Sequence, residues 1–282
     1  MTRRIELPGG NPLDLCGPAL IMAVVNCTAD SFYAPSRAML EDAVEKALRA
    51  EEEGASIIDF GGESSRPGSL YVSEEEELER VIPVVNAFRK RSSLPVSVDT
   101  RKAAVARAAL DAGADIINDI SALCDDPLMP PLCAGRGAAV VLMHKKGVPL
   151  TMQEAPLYGD VVAEVGTYLK AAAERAIAAG IPPGKIIVDP GIGFGKRLQD
   201  NLELIRRLPC LAEICGNDYP VLVGLSRKNF IGEITGRDVP DRLWGTLAAN
   251  AAAVMGGAAI IRLHDVPEHL DMVKTLFALR TG

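Results

Sequence analysis

Aromatic residues make up only 4% of this 282-residue chain, so Val, Ile, Leu and Ala must fill its interior. That composition suits strand-and-helix packing better than a β-sandwich. None of the six cysteines stands in a C-x-x-C pair, and a chain of this length does not need disulfide staples. They read as free, mostly buried thiols in a reducing compartment. Only three histidines occur, and no HExxH, H-x-x-x-H or Cys/His cluster is present, which argues against a zinc site. There is no G-x-S-x-G elbow and hence no sign of a serine hydrolase of that kind. Apolar runs of about 20 residues are missing, as is a signal-peptide pattern at the N-terminus. The expectation is a cytoplasmic protein that makes no use of a membrane. A formal net charge of −7 lacks the basic excess that general nucleic-acid binding requires.

What is present is a repeated rhythm. Eight short β-rich runs recur: Leu20–Asn26, Ser56–Gly62, Val96–Thr100, Asp115–Ile120, Ala138–His144, Ile186–Asp189, Pro220–Ser226 and Ile260–Asp265. Helical patterns lie between them. Leu40, Ala43, Val44, Ala47 and Leu48 follow the spacing of one buried helix face. Ser73 with Glu76 reads as a capping box, and Ala103–Ala112 is helix-prone. Asp160–Gly180 is the longest helical pattern; further helices are expected from Asp200 with Glu203, over Asp241–Met255 and over Pro267–Leu279. Strand and helix alternate without a break in composition. The reading is an α/β chain, residues 1–282 as one domain, closed into a (β/α)₈ TIM barrel. An open doubly wound sheet is the rival.

Nearly every run ends in a polar residue, and in such a barrel all these ends meet at one mouth. Asp99, Asn118 and Asp189 end three runs and can read a flat heterocycle by paired hydrogen bonds. Turn chemistry would also favour them there. After Asp189 comes Gly191-Ile192-Gly193-Phe194-Gly195-Lys196, neither a Rossmann nor a Walker loop. Phe194 is expected as an aromatic wall or as a loop anchor. Ser226 is expected to cap a short helix running through Phe230, and Lys228, Arg262 and His264 form a candidate diphosphate clamp. Asn26 offers one neutral oxygen, enough for a Mg²⁺ that keeps most of its waters. His144 is expected to orient a loop, with contact to substrate as the alternative. Asp59 is read as support for Arg66 or a strand end, without a catalytic role. Leu247, Val254 and Leu276 could form a dimer face or pack in the core.

In order, these segments resemble dihydropteroate synthase. The matching pieces are Asn26-Cys27-Thr28-Ala29-Asp30-Ser31-Phe32, Gly61-Gly62-Glu63-Ser64-Ser65-Arg66-Pro67-Gly68, Val98-Asp99-Thr100, Ile117-Asn118-Asp119 and Leu142-Met143-His144. Asp189 to Lys196, Gly224-Leu225-Ser226-Arg227-Lys228 and Arg262-Leu263-His264-Asp265-Val266 complete the set. The resemblance implies a cytoplasmic, dimeric TIM barrel that uses Mg²⁺. The implied reaction joins 6-hydroxymethyl-7,8-dihydropterin diphosphate to 4-aminobenzoate. It also implies that Asp99, Asn118, Asp189 and Lys228 hold the pterin, and that Asn26, Arg262 and His264 hold the diphosphate and its metal. Ser65, Arg66, Phe194 and Ser226 would form the aminobenzoate pocket. Asp30, Phe32 and Arg66 would close over both substrates, with Asp30, Arg66 and Lys228 as candidate catalytic residues. Ala23, Ala29, Tyr33–Ser36 and Ser65 depart from the family pattern. A pterin-binding methyltransferase domain and a silent pterin-binding paralogue are the alternatives.

Overall fold

Eight parallel strands are hydrogen-bonded edge to edge in chain order. They are β3 (Leu20–Asn26), β4 (Ile57–Gly61), β5 (Val96–Asp99), β6 (Ile116–Asp119), β7 (Ala139–Met143), β8 (Ile186–Asp189), β9 (Leu222–Gly224) and β10 (Ile260–Leu263). Each lies inside one of the eight expected runs. β10 pairs with both β9 and β3. A bridge between Val188 and Val221, with Val188 N donating to Pro220 O at 3.0 Å, joins β8 to β9. The sheet therefore closes, and the open-sheet rival falls. This computed structural model describes residues 4–10, 12–27, 37–64, 69, 71–147, 152 and 156–281.

Strand alternation separates two apolar layers. Outward residues such as Ile21, Ile58, Phe60, Val98, Ile117, Val140, Val188, Val223 and Ile261 pack against the helices. Inward residues at the strand starts, including Met22, Ile57, Ile116, Ile187, Leu222 and Ile260, fill the barrel. Ile5, Leu7 and Leu13 join this inner cluster. They come from a small antiparallel hairpin, β1 (Arg4–Ile5) with β2 (Leu13–Asp14), that plugs the end opposite the mouth. Its strands of two residues each are too short to leave a periodic signal.

Ten α-helices are described: α1 (Arg37–Glu52), α2 (Glu74–Arg89), α3 (Ala103–Asp111), α4 (Met129–Arg136), α5 (Val161–Ala178), α6 (Leu198–Arg206), α7 (Leu208–Cys215), α8 (Asn229–Thr235), α9 (Leu243–Met255) and α10 (Val266–Thr281). Ser73 caps α2 by accepting from Glu76 N at 3.1 Å, and Asp160 caps α5. Helices α4 and α7 were not expected. Both carry proline in the first turn, where a missing N–H costs nothing because that donor has no helical acceptor. Two start sites need correction. Helix α6 begins at Leu198 rather than Asp200, whose carboxylate sits at the third helical position and accepts from Arg197 N at 2.9 Å. Lys228, not Ser226, occupies the N-cap of α8.

Three of the six free cysteines, Cys16, Cys124 and Cys210, are exposed, so the expectation that most are buried fails for half of them. Val254 packs in the core, which removes it from any dimer face. Ala23 is buried in the layer under the helices, so its methyl group fits where the family pattern has glycine. Among the described residues, no helix is long and apolar enough to cross a membrane.

Candidate active site

One layer above the apolar plug, the inward positions turn polar. Asp59 follows Ile57 on β4, Asn118 follows Ile116 on β6, Asp189 follows Ile187 on β8, and Arg262 follows Ile260 on β10. Asp99 ends β5, in register with Asn118 and Gly61. Period-two alternation thus gathers residues from five strands at one level. Arg262 Nε donates to Asp59 Oδ2 at 2.6 Å, and its Nη2 donates to Asp99 Oδ2 at 2.9 Å. Asn118 Nδ2 donates to the same Asp59 oxygen at 3.3 Å.

Burial and charge set the protonation behaviour. Burial pushes Asp99 up to about 7; Arg262 opposes this, while Asp59, Glu77 and Asp119 add to it. Asp189 is likewise raised by burial, against the pull of Lys228 and its own bond from Gly191 N. Burial lowers Lys228 to about 8, although Asp189 favours its charge. For Arg262, burial works against the cation, but Asp59 and Asp99 outweigh it and hold the guanidinium charged. The site therefore offers two carboxylates whose protonation burial favours, beside two cations.

The glycine loop folds back over β7. Asp189 Oδ1 accepts from Gly191 N at 2.7 Å. Gly191, Gly193 and Gly195 have φ of +64°, +84° and +62°. A Cβ on Gly191 would lie 1.9 Å from His144 O, so backbone packs where any side chain would stand. Lys196 is buried beneath the loop, donating to Gly191 O at 2.9 Å and Phe194 O at 3.1 Å, with Nζ 3.0 Å from His144 Nδ1. His144 is buried and fastened to this loop, in keeping with its expected orienting role. Phe194 serves in both expected ways. It packs on Ile120, Met143 and Met152, and it lines the cavity with Lys228 Nζ 4.7 Å from its ring centre.

A cavity of about 1010 Å³ opens above this floor. Asn26, Asp99, Phe194, Ser226, Lys228, Arg262 and His264 all line it. Asn118 and Asp189 are buried and do not line it; Asn118 reaches Asp59, and the Asp189 charge is felt by Lys228 and Arg262, which do. Ser226 Oγ lies 3.0 Å from His264 Nδ1. Arg227, between Ser226 and Lys228, is bound by both oxygens of Asp265, at 3.0 and 2.6 Å. Asp30, Phe32, Ser65 and Arg66 lie outside the described residues. Among those described, no group of three or more His, Cys, Asp or Glu could hold a metal. The Asn26 carboxamide at the mouth still fits a Mg²⁺ that takes few protein ligands.

Two residues were undervalued in the sequence. Asp59 does not support a strand end; it supports Arg262 and Asn118. Its parity with Ile57 on β4 was the available signal. Lys196 carried no signal beyond its place at the end of the glycine run.

A closed parallel barrel whose strand ends bring carboxylates, a carboxamide and cations to one mouth defines a barrel enzyme with a single polar site. Residues 22–264 match the model of the family described as pterin binding enzyme. The chain is 46% identical to the dihydropteroate synthase of Escherichia coli (strain K12) over 270 residues, covering 95% of this chain and 94% of that protein. It is 42% identical to the dihydropteroate synthase of a Synechocystis species over 276 residues, covering 97% and 94%. A Xanthomonas albilineans dihydropteroate synthase solved with 4-aminobenzoic acid superposes with a TM-score of 0.91, at 43% identity over 100% of both chains. The same organism's enzyme in complex with 7,8-dihydropteroate gives 0.86, at 40% identity over 99% of each chain. The chain belongs to the pterin-binding enzymes and, within them, to the dihydropteroate synthases.

Proposed function

We propose that this chain condenses 6-hydroxymethyl-7,8-dihydropterin diphosphate with 4-aminobenzoate, releasing 7,8-dihydropteroate and diphosphate. The observation that supports it most is that Asp99, Lys228 and Arg262 line one cavity, with buried Asn118 and Asp189 linked to them through Asp59 and through the Asp189 charge on Lys228. Three acceptor-bearing groups suit the N–H edge of a pterin. The cations suit the leaving diphosphate, whose charge grows as the methylene C–O bond breaks. That bond breaks with its electron pair staying on diphosphate. The electron-rich pterin ring stabilises the methylene cation, the amine of 4-aminobenzoate forms the C–N bond, and the amine proton passes to solvent. Little general-base work is needed, which accords with the lack of a nucleophile–base pair in the sequence.

Asp99, Asn118, Asp189 and Lys228 are assigned to the pterin, and Arg262 and His264 to the diphosphate. Ser65, Arg66, Phe194 and Ser226 are assigned to aminobenzoate, with Asp30, Phe32 and Arg66 closing over both. Asn26 would hold Mg²⁺, which when bound neutralises diphosphate charge. Cytoplasmic residence and a homodimer are part of the proposal. Exposed Trp244 and Met255 of α9 and Leu279 of α10 offer apolar surface for a second copy. Light scattering at twice the monomer mass is the expected result for the dimer.

The test of the reaction is calorimetry with dihydropterin diphosphate, then a diphosphate-release assay on adding 4-aminobenzoate. Binding followed by one diphosphate per dihydropteroate supports the proposal. Binding without release would indicate the silent paralogue, and affinity indifferent to the diphosphate would indicate the methyltransferase.

A further inference from the structure

Asp59 is fully buried on β4, in the barrel interior. A carboxylate with no access to water needs strong compensation. Its Oδ2 receives two bonds, from Arg262 Nε on β10 and Asn118 Nδ2 on β6. Its Oδ1 is buried with no hydrogen-bond partner among the described residues. An unmet buried acceptor costs about 1–3 kcal/mol, so stability alone would not select this residue. What the arrangement does accomplish is geometric. One oxygen ties together two side chains from β6 and β10, Asn118 and Arg262, that stand 144 residues apart along the chain. With Nε on Asp59 and Nη2 on Asp99, the Arg262 guanidinium has a single fixed plane, and Nη1 is left to meet a ligand.

We propose that Asp59 is a positioning residue for the pterin diphosphate side of the site, acting through Arg262 and Asn118 without touching substrate. The inference rests on the proposed pterin diphosphate reading. Without the Asp59 charge, Arg262 keeps only Asp99 as a carboxylate partner and swings toward it, while the Asn118 amide loses its acceptor. Both changes disorder the pterin floor. The aminobenzoate side, lined by Phe194 and Ser226, has no bond to Asp59 among the described residues and is left as it was.

The experiment is Asp59→Asn, nearly equal in size, assayed for binding and turnover. Wild-type protein is measured first with dihydropterin diphosphate. If it does not bind, the pterin reading itself has failed. If it binds, Asp59→Asn is expected to weaken that binding at least tenfold while the KM for 4-aminobenzoate stays within twofold. In an Arg262→Ala background, the same change should add less than threefold. Unchanged pterin affinity, equal losses for both substrates, or full additivity with Arg262→Ala would each overturn the inference. Should Asp59→Asn not fold, proton exchange at Arg262 Nε–H is read on ¹⁵N-arginine-labelled wild-type protein. Slow exchange supports the pairing, and exchange at the rate of a free arginine overturns it.

Discussion

Lys196 Nζ lies 3.0 Å from Nδ1 of His144, and both side chains are buried. Burial lowers Lys196 to about 7; when it is charged, the ammonium that donates to Gly191 O and Phe194 O leaves the imidazole to accept at Nδ1 and carry its proton on Nε2. A protonated His144 would place two donors face to face. Burial and the neighbouring lysine accordingly lower His144 from 6.5 to about 3.

That pairing predicts an acid-sensitive loop. Between pH 6.5 and about 3 the unfolded chain takes up a proton at His144 that the folded chain refuses. Its contribution to stability is complete above 6.5 and is lost as pH falls through this window, at about 1.4 kcal/mol per pH unit. Urea unfolding at pH 7, 6 and 5 should show a steeper decline for wild type than for His144→Asn. Parallel declines would refute the assignment.

Lys228 predicts the opposite limb for ligand binding. Its amine, lowered to about 8 by burial, loses charge as pH rises above that value. Affinity for dihydropterin diphosphate should then fall by up to about tenfold per pH unit. Lys228→Arg keeps its charge and should push the decline to higher pH, even if its absolute affinity is poorer. Calorimetry from pH 7 to 9.5 reads both.

Gly191→Ala tests the loop backbone. Its φ of +64° costs an alanine about 1–2 kcal/mol, and the new methyl would meet His144 O at 1.9 Å. The loop must shift, carrying Asp189 and Phe194 with it. A lower Tm together with at least a tenfold loss of pterin affinity is expected. A variant with wild-type values for both would mean that the loop relaxes without consequence.

Asp189→Ala removes a buried acceptor beside Lys228 and the anchor of Gly191 N. A ligand N–H left without its partner costs about 2–4 kcal/mol, a loss of roughly 30- to 1000-fold in affinity. Isothermal titration with 6-hydroxymethylpterin measures it without needing turnover. Wild-type affinity would take Asp189 out of the site.

Much of the architecture was legible in the chain. Eight β-rich runs separated by helical patterns favour a closed parallel barrel over an open doubly wound sheet, and the pairing of β10 with β3 and the bridge from Val188 to Val221 decide between them. Asp99, Asn118 and Asp189 were legible for the same reason: each sits at a strand end, and strand ends converge. Helices α4 and α7 were hidden by proline, which reads as a break although it is tolerated at a helix start. The N-terminal hairpin was hidden by its brevity.

Local pattern was enough to show an α/β chain of eight strand–helix units and which residues crown its strands, since hydrophobic periodicity acts over a few neighbours. Partnership was decided only by the closed structure. Asp59 and Arg262 stand 203 residues apart, and nothing in either neighbourhood says that they share a hydrogen bond. Barrel closure brings β4 and β10 to one interior, where scarcity of water forces each buried charge to find its opposite.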